Sequence, residues 1–129
     1  MDIYEAHKKI KEKKVSCLEL TQDCLKKAKA SSSNAFISLL EDQALEASKK
    51  KDEVLLKEGV QTPLSGIPYS LKDLFVTKGI KTSAGSKMLY NYKPSYQGHV
   101  SECLEKSGGV LIGKNSCDEF GMGLSLIRI

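Results

Sequence analysis

Lys72 closes a short apolar run, Ile67-Pro-Tyr-Ser-Leu, and opens the dipeptide Lys72-Asp73. An ammonium set at the end of a strand-like run is chemically informative, because burying it is costly unless it is paired. Desolvation lowers a lysine's pKa, and that is how a protein obtains an amine base near neutral pH. The residue types allow two readings. Lys72 is either such a base or a strand-end lysine that reaches solvent beside Asp73, and on residue chemistry alone the second is the simpler. Gly66 and Pro68 punctuate the entry to the run and favour extended backbone there.

Two further stretches could contribute to a site. Thr82-Ser-Ala-Gly-Ser is rich in small donors whose amides could approach a ligand, with an ordinary Ser/Gly turn as the competing reading. Gly113-Lys114 is followed by Asp118-Glu-Phe-Gly-Met-Gly. Asp118 and Glu119 are adjacent, so on a helix or strand they diverge and make a poor carboxylate pair. Capping a helix suits Asp118 better. Gly108-Gly-Val-Leu-Ile-Gly lacks the spacing and the strand-first context of a phosphate-cradling loop. Cys17, Cys24, Cys103 and Cys117 form no C-x-x-C pair and no cluster with His7 or His99. They read as small buried hydrophobes rather than disulfides or metal ligands.

Gly66-Ile-Pro-Tyr-Ser-Leu-Lys-Asp, Thr82-Ser-Ala-Gly-Ser-Lys-Met-Leu and Gly113-Lys with Asp118-Glu-Phe-Gly-Met-Gly stand in an order and spacing similar to the amidase signature family. The resemblance runs from about residue 14 to residue 123, and within the family it is strongest to the A subunits of glutamyl-tRNA(Gln) amidotransferases. It implies that Lys72 is the family's catalytic lysine. That lysine works with two serines, one on a cis peptide, placed beyond the Gly/Ser-rich stretch that follows Asp-Glu-Phe. Residues 1–129 then carry one of three catalytic groups and are expected to be inactive alone. The resemblance also implies that Ser83, Gly85, Ser86, Met122 and Gly123 line or border the substrate pocket. Glutamine is the implied substrate, B and C subunits the implied partners, and tRNA is reached only indirectly. ATP and Mg²⁺ belong to a partner subunit, leaving no cofactor and no metal on this chain. Asn115-Ser-Cys departs from the Thr-Asn-Met that usually precedes Asp-Glu-Phe, and residues 124–129, including Ser125, read as a divergent tail. Two other readings stay open: another amidase-signature hydrolase of small amides, and a non-catalytic fragment or interaction module.

Elements must hold these groups in place. Ile3, Ala6 and Ile10 predict a helix over 2–13. Ser16 and Glu19 form a capping box, with Val15 and Leu20 as its staple, opening a helix over 16–30 whose stripe is Cys17, Leu20, Cys24 and Ala28. A Ser-rich loop leads to a strand over 35–40. The next helix, 41–57, turns Leu40, Ala44, Ala47 and Val54 inward and 49–52 outward, and Gly59 stops it. After the 67–71 strand come a turn at 78–79, a connector over 90–96, and a helix over 96–107 with Val100, Cys103, Leu104 and Ser107 on one face. Gly108-Gly109 ends that helix before a fully apolar strand over 110–113. Strand, helix and strand make a right-handed unit whose strands are parallel. Ligands of such sheets gather at the strands' carboxyl ends, where Lys72 and Lys114 both stand. The expected class is α/β: the N-terminal part of an amidase-signature α/β/α sandwich, with helices flanking a mixed, mostly parallel sheet. Residues 1–60 form its mainly helical segment and 61–123 the start of its core.

With 129 residues, 40% of them apolar and 6% aromatic, one modest core is possible. The net charge of +4 is interleaved along the chain. Its longest basic runs, Lys13-Lys14 and Lys49-Lys50-Lys51, read as solvated helix faces rather than a nucleic-acid patch. No apolar run approaches the ~20 residues of a membrane span, and Asp2 and Glu5 spoil a secretory leader. The expectation is a cytoplasmic chain, with a mitochondrial or plastid matrix as the alternative and no membrane partner.

Overall fold

A computed structural model describes residues 2–123. The tail expected at 124–129, with Ser125, lies outside the described residues. Helix α1, Ile3–Lys11, begins where the Asp2 carboxylate accepts from the Glu5 amide (2.8 Å), and it buries Ala6 and Ile10. Lys13 has φ +55°, so Lys13-Lys14 lies in the turn after α1 and not on a helix. Helix α2, Cys17–Ala30, opens on the predicted capping box. The Glu19 amide donates to Ser16 Oγ (3.0 Å), and the Ser16 amide donates to Glu19 Oε2 (2.9 Å). Val15 packs against the cluster of Ala6, Ile10, Leu20 and Ile67. The buried stripe is Cys17, Leu20, Thr21 and Leu25, and Cys24 and Ala28 lie at its margin.

Helix α3, Glu41–Glu58, lies against α2 and ends at Gly59, whose φ of +74° suits a residue without a side chain. Ser48, fully buried, donates to Ala44 O (2.6 Å) and Thr21 Oγ1 (2.9 Å), so the α2–α3 seam includes a satisfied polar contact. Two expectations for α3 fail here. Val54 is exposed while Leu55 packs on the core, and Asp52 leans across to α2, accepting from the Cys17 (2.7 Å) and Leu18 (3.0 Å) amides. Those are orphan donors of the first helical turn, and a carboxylate is well suited to them.

Three strands form the sheet: β1, Phe36–Leu39; β2, Pro68–Lys72; and β3, Val110–Asn115. Their order is β1-β3-β2, with β2 parallel and β1 antiparallel to β3, so the sheet is mixed. β1 comes close at Gly113, where an added Cβ would lie 2.6 Å from Ser38 O. Helix α4, His99–Lys106, joins β2 to β3 and is shorter than predicted. The Gly98 amide is held by Val76 O (3.0 Å), which fixes its start. Ser101 is the buried residue of α4, its hydroxyl also donating to Val76 O (2.8 Å), whereas Val100 and Cys103 are exposed. A polar anchor therefore sets the facing of α4, and the apolar stripe read from the sequence does not. Cys17, Leu25, Ala44, Val110 and Ile112 form the main core between α2, α3 and the sheet. Ala6, Ile10, Leu20 and Ile67 form a second one under α1.

Candidate functional site

β2 delivers Lys72 opposite Asn115, the last residue of β3, so Lys72 and Lys114 stand together at the carboxyl edge of the parallel pair. The chain turns at once. Phe75 N–H donates to Lys72 O (3.0 Å), and Asp73 N–H donates to Asn115 O (2.9 Å). The two lysines occupy opposite environments. Leu71 and Asp73 face inward, so by strand alternation Lys72 faces outward and is exposed. Of the two readings of Lys72, the structure shows the lysine that reaches solvent and not one held out of water; among the described residues the fully buried ammonium is that of Lys114, 0% exposed. β3 is the inner strand, paired on both sides, and its end is roofed by the turn after β2. Lys114 Nζ donates to Phe75 O (2.5 Å), Thr77 Oγ1 (2.9 Å) and, more weakly, Thr82 Oγ1 (3.4 Å). Three ammonium protons meet three oxygens. Burial pushes Lys114 below the ordinary lysine range, and the Asp73 carboxylate opposes that fall.

Asp73 organises the second stretch. It is 1% exposed, and its Oδ2 accepts from Ser83 N–H (2.9 Å) and Ser83 Oγ (2.5 Å) while its carbonyl accepts from Ala84 N–H (3.1 Å). Its Oδ1 has no hydrogen-bond partner among the described residues. The loop then meets the third stretch. Ala84 and Gly85 (φ +50° and +69°) abut Phe120 and Gly121 (φ +53° and +67°), and Phe120 N–H donates to Ala84 O (2.7 Å). Positive φ at Ala84 and at bulky Phe120 is strained, so surrounding contacts must hold it. One of these is Ser86 Oγ donating to Glu119 Oε1 (2.8 Å). Gly85 is required twice over: by its φ, and because a Cβ would lie 2.7 Å from Cys117 O.

The fold therefore gathers residues 72–73, 82–86 and 117–121 into one frame. Ser83 and Ser86 are buried and spend their hydroxyls on Asp73 and Glu119, so they are framework rather than open donors. Gly85, Met122 and Gly123 are exposed, Met122 at 82%. Asp118 precedes the turn Glu119–Gly121 without capping it through its side chain, which lies instead against Gly123. The turn is only three residues long and kinked at Phe120, leaving few amides to cap. Burial pushes the Cys117 thiol up.

What the frame offers is an exposed amine at the sheet's carboxyl edge, with Leu74, Phe75, Phe120 and Met122 also exposed. A groove of about 700 Å³, lined by Leu40, Tyr69, Gln97 and Val110 among others, includes neither Lys72 nor the 82–86 loop. Among the described residues no His, Cys, Asp or Glu cluster could hold a metal ion, and no helix is long and apolar enough to cross a membrane. Sequence reasoning missed Asp73, Thr77, Thr82 and Glu119 as framework, and gave Lys114 no role. The available signal was Lys114 at the end of the more apolar of two strands.

The family model described as amidase matches residues 19–126. Relatives include the A subunit of the glutamyl-tRNA(Gln) amidotransferase of Geobacter sulfurreducens, 42% identical over 97% of this chain and 26% of its own length. The A subunit from Coxiella burnetii is 46% identical over 95% of this chain and 26% of its own length. That from Legionella pneumophila is 44% identical over 92% and 24%. The chain thus spans about a quarter of the length of the curated relatives it matches. Among solved structures, an amidase superposes with a TM-score of 0.85 at 31% identity, covering 95% of this chain and 28% of that one. Peptide amidase from Stenotrophomonas maltophilia does so with a TM-score of 0.86 at 27% identity, covering 93% and 25%.

Proposed function

Because the chain belongs to the amidase family by its match over residues 19–126, we propose that it is the lysine-bearing part of an enzyme, akin to the amidotransferase A subunits, that takes ammonia from glutamine. The observation that carries this reading is the position of Lys72, at the carboxyl edge of a parallel strand pair and next to the residue that anchors the 82–86 loop. The 42–46% identity to amidotransferase A subunits supports glutamine as the substrate.

In this reading the neutral Lys72 amine accepts a proton from a bridging serine. That serine takes the proton of a second serine as its Oγ attacks the glutamine side-chain carbonyl carbon. The tetrahedral adduct collapses with the proton returned to nitrogen, ammonia leaves, and water hydrolyses the resulting ester to glutamate. In this reading both serines lie outside the matched residues 19–126. The ammonia serves a B subunit, assisted by a C subunit, that amidates glutamate on tRNA with ATP and Mg²⁺ in the cytoplasm. Residues 1–129 alone release no ammonia.

A second reading, a hydrolase of small amides acting without partners, draws on the likeness to peptide amidase. A chimera decides between them, with this chain replacing the matched quarter of the Geobacter A subunit. Ammonia release from glutamine should be restored, and Lys72→Met should lower it by at least ~10³-fold. Equal activity of chimera and K72M would overturn the reading, and a preference for simple amides over glutamine would favour the second.

A further inference from the structure

Between the sheet and the loop lies a charged residue that the reaction above does not use. Lys114 Nζ holds Phe75 O, and the amide of that same Phe75 donates to Lys72 O (3.0 Å), so a single residue links the buried ammonium to the backbone of Lys72. The two threonine hydroxyls it binds lie on either side of the 78–81 excursion, Thr77 before it and Thr82 after it. Next to Thr82, Ser83 and Ala84 donate to Asp73. No ion pair joins Lys114 to Asp73 within 4 Å among the described residues, and the strongest bond of the ammonium goes to a main-chain carbonyl. A group serving only to neutralise a buried carboxylate would sit against it. One holding the backbone in place sits where Lys114 does.

We propose that Lys114 is a positioning residue for Lys72: its ammonium clips the 72–77 turn and the start of the 82–86 loop onto the end of β3, fixing where the Lys72 amine leaves the sheet. The proposal rests on Lys72 being the base assigned above, but the clip can be tested without turnover. The Phe75 carbonyl it holds also accepts from Thr77 Oγ1 (3.1 Å), so the ammonium and that hydroxyl share one acceptor, and the threonine hydroxyls allow isosteric changes that leave Lys114 itself intact.

Amide hydrogen exchange on the ¹⁵N-labelled 129-residue chain, measured in the cold, is the test. In Lys114→Met the amides of Phe75, Ser83 and Ala84 should exchange at least ~10-fold faster than in the wild type, while amides inside α2 and α3 change less than ~2-fold. Thr77→Val should move the same three amides in the same direction, and Thr77→Ser should restore them. Unchanged rates at the three amides, or an equal acceleration in α2 and α3, would overturn the clip. Should Lys114→Met fail to fold, the wild-type Lys114 ¹⁵Nζ signal decides. Slow exchange with water supports the clip, and exchange as fast as at exposed Lys72 refutes it. Lys72→Met leaves these amide rates alone but abolishes ammonia release in the chimera, so the clip and the catalytic reading fail separately.

Discussion

Lys114 puts a positive charge where water does not reach, and this ties its proton to stability. Its folded pKa lies below the ordinary 10.5, chiefly through burial. Between that lowered value and 10.5 the unfolded chain holds more protons than the folded one, so unfolding free energy rises with pH across that window. Denaturant melts at stepped pH should therefore show wild type gaining on Lys114→Met as pH climbs towards 10.5, and a flat or falling difference would refute this. The cysteines allow a second check. Cys17 is fully buried and its thiol is pushed up to about 11 by burial, whereas Cys103 is exposed. A thiol reagent should modify Cys103 first and Cys17 only on unfolding; early labelling of Cys17 would contradict the packing. Which lysine is buried was not readable from residue types, because both close apolar runs. The answer depends on β3 lying between two partners, and that follows from the pairing of β1, 74 to 79 residues away in sequence.

At the scale of elements, helix entries were legible because their signals are local. Ser16 and Glu19 lie three residues apart, and the box they form is present in full. The cap supplied by Asp52 was not legible, since it comes from another helix 34 and 35 positions along the chain. Asp52→Ala should destabilise the chain by about 1–2 kcal/mol in chemical denaturation, as two helix-end amides lose a charged acceptor. A loss indistinguishable from zero would mean that water replaces the carboxylate without cost. Gly85→Ala tests the contact between the two strained turns. The new methyl meets Cys117 O at 2.7 Å in a left-handed backbone, so a loss of roughly 1–3 kcal/mol is expected, together with freer exchange at the Phe120 amide. The facing of α4 was misread for a related reason. Its orientation comes from Ser101 bonding to Val76, and a hydrophobic stripe cannot report a hydrogen bond.

For the molecule as a whole, the strand order β1-β3-β2 was only half foreseeable. The parallel pair followed from strand, helix and strand in sequence, but the antiparallel partner did not. β1 and β2 are both edge strands among the described residues, and Leu74, Phe75, Phe120 and Met122 are exposed. Unpaired edges and uncovered apolar side chains give little cooperative protection, so the purified 129-residue chain should melt over a broad range by circular dichroism. A sharp two-state melt of a monomer would count against that view.

The inner position of β3 has a consequence for the chain as it is made. β1 ends at Leu39 and β2 at Lys72, yet the strand that bonds to both ends at Asn115 and leaves the ribosome last. At about 5–20 residues per second, β1 waits roughly 4–15 s for its partner. Over that interval the nascent Phe36-Ile37-Ser38-Leu39 segment, capable of zipping onto any passing edge, depends on translation speed and on chaperones to keep it single.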